Sequence, residues 1–304
     1  MRIVLALCLI WVGLDSWQHA KAQNLDVTEI VAATDTFSRT PTEATRAALR
    51  DALISYEGDP TVQSVNAYVS LLLHDGRRGS SEDLYETASA ATAHMEAVAD
   101  IIPKQYLEAR FLAAVAQFNV SPSPEAMIEM THVEGRARAF KDQIDEHPDW
   151  AATLKWKADA WGMAMDAYFE SREEDHPSDD DVQDILARYG ADSVTLDALA
   201  ARSLDENGLP FCSGRMIQRP AMRYPSGRAM RGMFGAVILE LEFDETGQVI
   251  NPKVLASVPI ETFEDRSLRT VGKWKFKPDT PRDVGVRCRL NRDSVIQPLV
   301  FQLQ

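Results

Sequence analysis

The stretch that most constrains the fold is an alternation of side chains over residues 235–243. Apolar Val237, Leu239, Leu241 and Phe243 alternate with a second set of residues that includes two glutamates. Successive side chains of a β-strand point to opposite faces of its sheet, so a period of two predicts a strand. One face of that strand is strongly apolar and is expected to lie on a core.

The residues after this strand predict a hairpin and a second strand. Asp244–Gly247 read Asp-Glu-Thr-Gly, and the glycine supplies the positive φ that closes a turn of this kind. Residues 249–257 form the returning strand. Pro252 lies within it and predicts a bulge or a sheet edge, because proline has no backbone N–H to donate.

Beyond Pro259 the apolar period changes to that of a helix, with Thr262 as the expected N-cap. The helix should end before Pro278, because a residue that precedes proline leaves the helical region. Two more alternating segments follow, residues 284–290 and 295–303. The pattern predicts an α+β domain in which a helix packs on one face of an antiparallel sheet. Its predicted core residues are Val237, Leu239, Leu241, Phe243, Phe263, Leu268, Val271 and Trp274.

Taken in order, these residues resemble the C-terminal domain of TonB-type energy transducers. The resemblance rests on Tyr224-Pro225, Gly232, Gly235-x-Val237, the hairpin, Ser257 and Trp274-x-Phe276-x-Pro278. It covers about the last quarter of the chain. Arg228 departs from it, because the family usually has a small residue there, and residues 291–297 form an extra segment.

The resemblance implies that residues 208–304 bind a protein of the cell envelope. In this family a short extended peptide of an outer-membrane transporter adds a strand to the sheet, so that main-chain hydrogen bonds supply the affinity. The implied partner-binding edge is the last strand, with Val295, Gln297, Leu299, Val300, Phe301 and Leu303. Two alternatives stay open for this strand: ordinary pairing within the sheet, or an edge covered in a homodimer.

Residues 1–22 predict a targeting segment. Arg2 precedes a twelve-residue apolar run, and Ala20-Lys21-Ala22 matches the small-x-small pattern of a signal-peptidase site. The run is shorter than the ~20 residues that a membrane-spanning helix needs. We therefore expect a cleaved signal peptide and a periplasmic protein. The alternative is an uncleaved inner-membrane anchor.

The two cysteines beyond the signal segment, Cys212 and Cys288, allow a disulfide in an exported protein. The alternative is one buried thiol and one surface thiol.

The region between the signal segment and the sheet domain, residues 23–207, is expected to be an acidic all-α domain. It carries 15 basic and 35 acidic groups, whereas residues 208–304 carry 15 basic and 10 acidic groups. Prolines at the first turns of successive helical patterns mark the helix starts. A spacing of about 40 residues between some of these starts suggests tetratricopeptide-like helical repeats. An irregular bundle fits the same pattern.

Several functional classes lack the residues that they need. The chain has no phosphate loop, dinucleotide fingerprint or nucleophile elbow, and its histidines do not pair at metal-ligand spacing. We therefore expect no enzyme, cofactor or metal, and the acidic region disfavours nucleic acid. The predicted function is protein binding in the periplasm. The alternatives are a membrane-anchored energy transducer, whose retained N-terminal segment would contact the membrane, and a helical-repeat scaffold.

Overall fold

A computed structural model describes residues 27–143, 149–172, 176–189, 209, 211–222, 224, 234–279 and 288–301. The predicted signal segment and Leu303 lie outside these residues. Contacts divide the chain into two compact units, residues 1–120 and 121–304. The sequence predicts a domain boundary between residues 207 and 208, where the net charge and the spacing of apolar residues change. The contact boundary lies earlier, because three helices before residue 207 group with the sheet.

The part of the first unit that the structure describes, residues 27–120, is helical, as predicted. Five α-helices and one 3₁₀ turn are described in it, and the N-caps Thr42, Thr61 and Ser80 each form a reciprocal capping box that fixes a helix start. The helices are α1 (27–39), α2 (Glu43–Ile54), α3 (Val62–Arg78), α4 (Ser81–Met95) and α5 (Pro103–Val120), with the 3₁₀ turn at Glu96–Val98.

A buried ion pair joins α2 to α3 inside this unit. The Arg46 guanidinium donates to both carboxylate oxygens of Asp75, at 2.6 and 2.9 Å, and Thr87 of α4 donates to the same carboxylate at 2.7 Å. Desolvation acts to raise the pKa of Asp75, but the hydrogen bonds from Arg46, Thr87 and His74 outweigh it and lower that pKa. The buried charges therefore fix how three helices meet.

In the second unit, a group of four charged side chains joins two long helices. The unit contains the helices α6 (Pro124–Gln143), α7 (Asp149–Glu170) and α8 (Asp179–Ala187), and the charged group lies between α6 and α7. Glu134 pairs with Arg138 along α6, and Lys155 pairs with Asp159 along α7. Burial, together with the nearby charge of Asp159, raises the pKa of Glu134 to about 7. Burial also lowers the pKa of Lys155.

Two small antiparallel sheets follow in the chain. Their elements are β1 (Gly214–Gln218), β2 (Gly235–Phe243), β3 (Val249–Val258), the helix α9 (Glu264–Val271), β4 (Lys275–Pro278) and β5 (Arg292–Phe301). One sheet has the strand order β3-β2-β5, and the other pairs β1 with β4. The predicted hairpin is present, with Gly247 at a φ of 77° and the Asp244 carboxylate accepting the N–H groups of Thr246 and Gln248.

The central strand β2 is buried on both faces. Its odd-numbered side chains lie in a core beside α9, in which seven of the eight predicted core residues are buried and Leu268 is half-buried against the rest. Trp274 is only 3% exposed. The even-numbered Ala236 and Ile238 instead pack against Ala160 and Ala164 of α7. The sequence predicted a helix on one face; the structure places a second helix on the other.

The start of α9 differs from the prediction. The helix begins at Glu264 with Phe263 as its N-cap, and Thr262 makes no capping bond. The Glu264 carboxylate takes over this task, because it accepts the N–H groups of Glu261 at 2.5 Å and Phe263 at 3.1 Å. Thr262 was therefore the wrong cap.

The structure joins Cys212 to Cys288 in a disulfide, with the two Cα atoms 4.9 Å apart. Close by, the Cys212 N–H donates to the Arg289 carbonyl at 2.9 Å, and Phe211 and Arg289 form a parallel bridge. Of the two sequence-based alternatives, the structure thus shows the bonded one. The bond ties the segment before β1 to the segment before β5.

Removing this disulfide should destabilise the sheet domain. The bond closes a loop of 76 residues, so Cys212→Ala with Cys288→Ala should lower its free energy of unfolding by about 4 kcal/mol. Urea denaturation, followed by hydrogen exchange in β2 and β5, measures the change. Under reducing conditions the variant and the natural chain should coincide. Equal stability without reductant would show that the bond does not form.

The charged group between α6 and α7 should make stability depend on pH. The folded state raises the pKa of Glu134 from 4.5 to about 7, so stability present below pH 4.5 is lost as the pH rises through 7, by up to roughly 3 kcal/mol. Glu134→Gln should remove most of this dependence in urea denaturation at about pH 5 and about pH 8. Glu129→Gln, on the same helix, is the matched control and should keep the natural pH dependence. An unchanged profile in Glu134→Gln would contradict the assignment.

Candidate functional site

The last strand, β5, lies at an edge of the three-stranded sheet. It pairs with β2 on one side, and within the described ranges no strand pairs with its other side. An unpaired edge presents a row of backbone donors and acceptors to another chain. The predicted partner-binding strand therefore occupies the position that strand addition requires.

Alternate side chains of β5 have different surroundings. Val295, Leu299 and Phe301 face the core beside α9, where Phe301 stacks on Phe263 with ring centroids 4.2 Å apart. Val300 and Ile296 both lie on the opposite face, where their side chains are 48% and 39% exposed. Of the residues named from sequence, Val300 thus offers an exposed apolar side chain. Ile296 was missed, although the alternation places it on the same face.

The pairing of β5 shows which of its backbone groups face the free edge. The ladder with β2 runs without a shift over residues 295–301 and includes Pro298 opposite Ile238. In an antiparallel pair, opposed residues that exchange two hydrogen bonds alternate with residues that exchange none. Proline has no N–H to exchange. The bonded pairs are therefore those of the odd-numbered residues of β5, and the even-numbered residues direct their N–H and C=O groups away from β2.

The free edge is accordingly interrupted at its middle. The outward N–H groups belong to Ile296 and Val300, whereas Pro298 between them has none. The Pro298 carbonyl accepts a hydrogen bond from the Gln297 side-chain amide at 2.7 Å. Gln297, which the sequence predicts at the partner-binding edge, thus lies with its side chain against the outward carbonyl of its neighbour.

The other edge strand, β3, is less regular. Its ladder with β2 shifts register twice, and Asn251 has a φ of 47°. Pro252 lies in the second irregular stretch, so the bulge and the edge predicted for it are both present. Bulges of this kind twist an edge away from further pairing. Of the two edges, β5 offers the longer straight template.

A cleft of about 540 Å³ lies between α6 and α8, and two histidines line it. His132 Nδ1 is 2.9 Å from the Tyr189 hydroxyl, and His176 Nδ1 is 3.4 Å from an Asp166 carboxylate oxygen. Both imidazoles are thus engaged within the protein. In the part of the chain that the structure describes, no cluster of three or more His, Cys, Asp or Glu is placed to hold a metal ion. Among these same residues, no helix combines the length and apolarity needed to cross a bilayer.

Comparisons with known proteins agree with this architecture. Residues 220–293 match the family described as the Gram-negative bacterial TonB protein C-terminal. Protein TonB of Vibrio cholerae serotype O1 (strain ATCC 39315 / El Tor Inaba N16961) is 28% identical over 96 residues, which cover 29% of this chain and 37% of that protein. Protein TonB of Yersinia enterocolitica is 28% identical over 69 residues, which cover 23% of this chain and 27% of that protein. The chain thus spans about a third of the length of these curated relatives.

Among solved structures, the solution structure of the Pseudomonas aeruginosa TonB C-terminal domain matches with a TM-score of 0.26 and 21% identity. The match covers 30% of this chain and 87% of that domain. The family match covers β2, the hairpin, β3, α9 and β4, ends at the start of β5, and leaves the helices before residue 207 outside. Over residues 220–293, the C-terminal region of this chain is thus similar to the TonB C-terminal family.

Proposed function

We propose that this chain is a periplasmic protein-binding protein that captures an extended segment of an envelope protein by strand addition to β5. The family implies an outer-membrane transporter as the partner. The observation that carries the proposal is the free edge of β5, whose outward backbone groups flank two exposed apolar side chains. Each added hydrogen bond contributes about 0.5–1.5 kcal/mol, so a short segment would bind reversibly.

Helices pack on both faces of the sheet, and this arrangement favours binding of a partner at the sheet edge. The α9 side carries the main core, and the α7 side is closed over Ala236 and Ile238 by the alanines of α7. A partner that approaches either face meets a helix, whereas a partner that approaches β5 meets unpaired backbone. Strand addition uses this backbone directly.

Among the described residues of the helical regions no His, Cys, Asp and Glu side chains are grouped to hold a metal ion, and we propose no enzymatic role for these regions. They would hold the sheet domain in an adaptor with a second, acidic surface. In the alternative, residues 1–22 stay as an inner-membrane anchor and the chain acts as an energy transducer. The mass of the exported protein distinguishes the two, because cleavage removes about 22 residues.

A proline at position 300 should weaken strand addition. The Val300 N–H faces the free edge, so Val300→Pro removes an outward donor and no hydrogen bond within the sheet. We expect binding of a peptide from the extended segment of an outer-membrane transporter to weaken at least about tenfold, as fluorescence anisotropy with the full mature chain would show.

The matched control for this prediction is Val300→Thr, which keeps both the N–H and the β-branched shape of the side chain. It should weaken binding by much less, and circular dichroism should show both variants folded. Unchanged affinity in Val300→Pro would exclude β5 as the docking edge.

A further inference from the structure

The middle of the β5 edge offers an added strand fewer hydrogen-bonding groups than the positions on either side of it. Pro298 cannot donate outward, and its outward carbonyl already accepts from the Gln297 amide at 2.7 Å. A strand added here would find a donor and an acceptor at Ile296 and at Val300, but between them only a carbonyl that already accepts one hydrogen bond. Native sheets use edge prolines to discourage indiscriminate pairing.

The apolar side chains of this edge coincide with its two open positions. Ile296 and Val300 are 39% and 48% exposed, lie four residues apart and point to the same face. Their neighbours across the ladder in β2 are Glu240 and Ala236. An added strand would place its own alternate side chains beside them, where β-branched and aromatic pairs are the most favourable.

From these two features we infer the class of segment that β5 selects. The partner is an uncharged extended segment with two β-branched or aromatic side chains four residues apart, which pack against Ile296 and Val300. Gln297 and Pro298 contribute to specificity, because they reduce the backbone bonds available to any added strand and leave the apolar pair to decide the affinity. The inference rests on the proposed function, since it specifies the partner of the same edge.

The physical basis is a division of the binding free energy. At an uninterrupted edge, main-chain bonds attract nearly any extended chain, because every residue can supply them. With the middle position closed, fewer bonds are available, and the side-chain pairs provide a larger share of the affinity. Discrimination between partners rises as that share rises.

The test uses the full mature chain and two short peptides of identical composition. Both are rich in serine and glutamine and carry two valines, placed four residues apart in one peptide and three apart in the other. Valines three apart point to opposite faces of a strand, so only one of them can meet β5. By fluorescence anisotropy, we expect the natural chain to prefer the four-residue spacing by about twofold to fivefold.

Variants of Gln297 and Pro298 show whether these two residues are responsible for the preference between the peptides. Pro298→Ala restores an outward donor and Gln297→Ala frees the Pro298 carbonyl, so each should raise the affinity for both peptides about threefold to tenfold and reduce the preference between them. The matched control is Pro252→Ala on the opposite edge strand β3, which should leave both affinities unchanged. Hydrogen exchange should show protection of Ile296 and Val300 when peptide is bound.

Three results would overturn the inference. Equal binding of the two peptides to the natural chain would remove the side-chain selection. A change of peptide affinity in Pro252→Ala, with none in Pro298→Ala, would show that the peptides bind at β3. If neither peptide binds while the transporter segment binds in a manner that depends on the Val300 N–H, the partner class is wrong and strand addition stands. If no peptide of any kind binds, the proposed function fails as well.

Discussion

The burial of strand β2 on both faces is the constraint on which the sheet domain depends. Its odd-numbered side chains lie in the core beside α9, and Ala236 and Ile238 meet Ala160 and Ala164 of α7. Alanines allow a helix to approach a sheet closely, because they present little side-chain volume. A strand covered on both faces belongs at the centre of its sheet. The free edges therefore fall to β3 and β5, and the available docking surface is a strand edge.

Helix α7 performs two structural tasks at once. Its alanine seam covers the sheet, and Lys155 and Asp159 form a buried charged group with Glu134 and Arg138 of α6. Breaking a buried charged group is costly, because it leaves a desolvated charge without a partner. The group therefore fixes the position of α7 relative to α6 through polar contacts, while the sheet contact is apolar.

Much of the sheet domain could be predicted because its signals are local. The alternation in β2, the Asp244–Gly247 turn and the helical spacing after Pro259 each involve residues close in sequence, and the structure contains all three. Strands β1 and β4 were missed. They are five and four residues long, and a segment that short shows no clear period. Thr262 was a reasonable cap by type, yet the Glu264 side chain reached the free N–H groups instead.

The sequence by itself determined the period of the longer elements, the turn chemistry and the edge character of the strand that carries Pro252, because these follow from the properties of residues close together in the chain. Only the tertiary structure decided which surface covers the second sheet face and whether Cys212 meets Cys288. It also decided which side chains of β5 remain exposed. These depend on contacts between residues far apart in sequence, and a local pattern shows that a face is apolar without showing what packs against it.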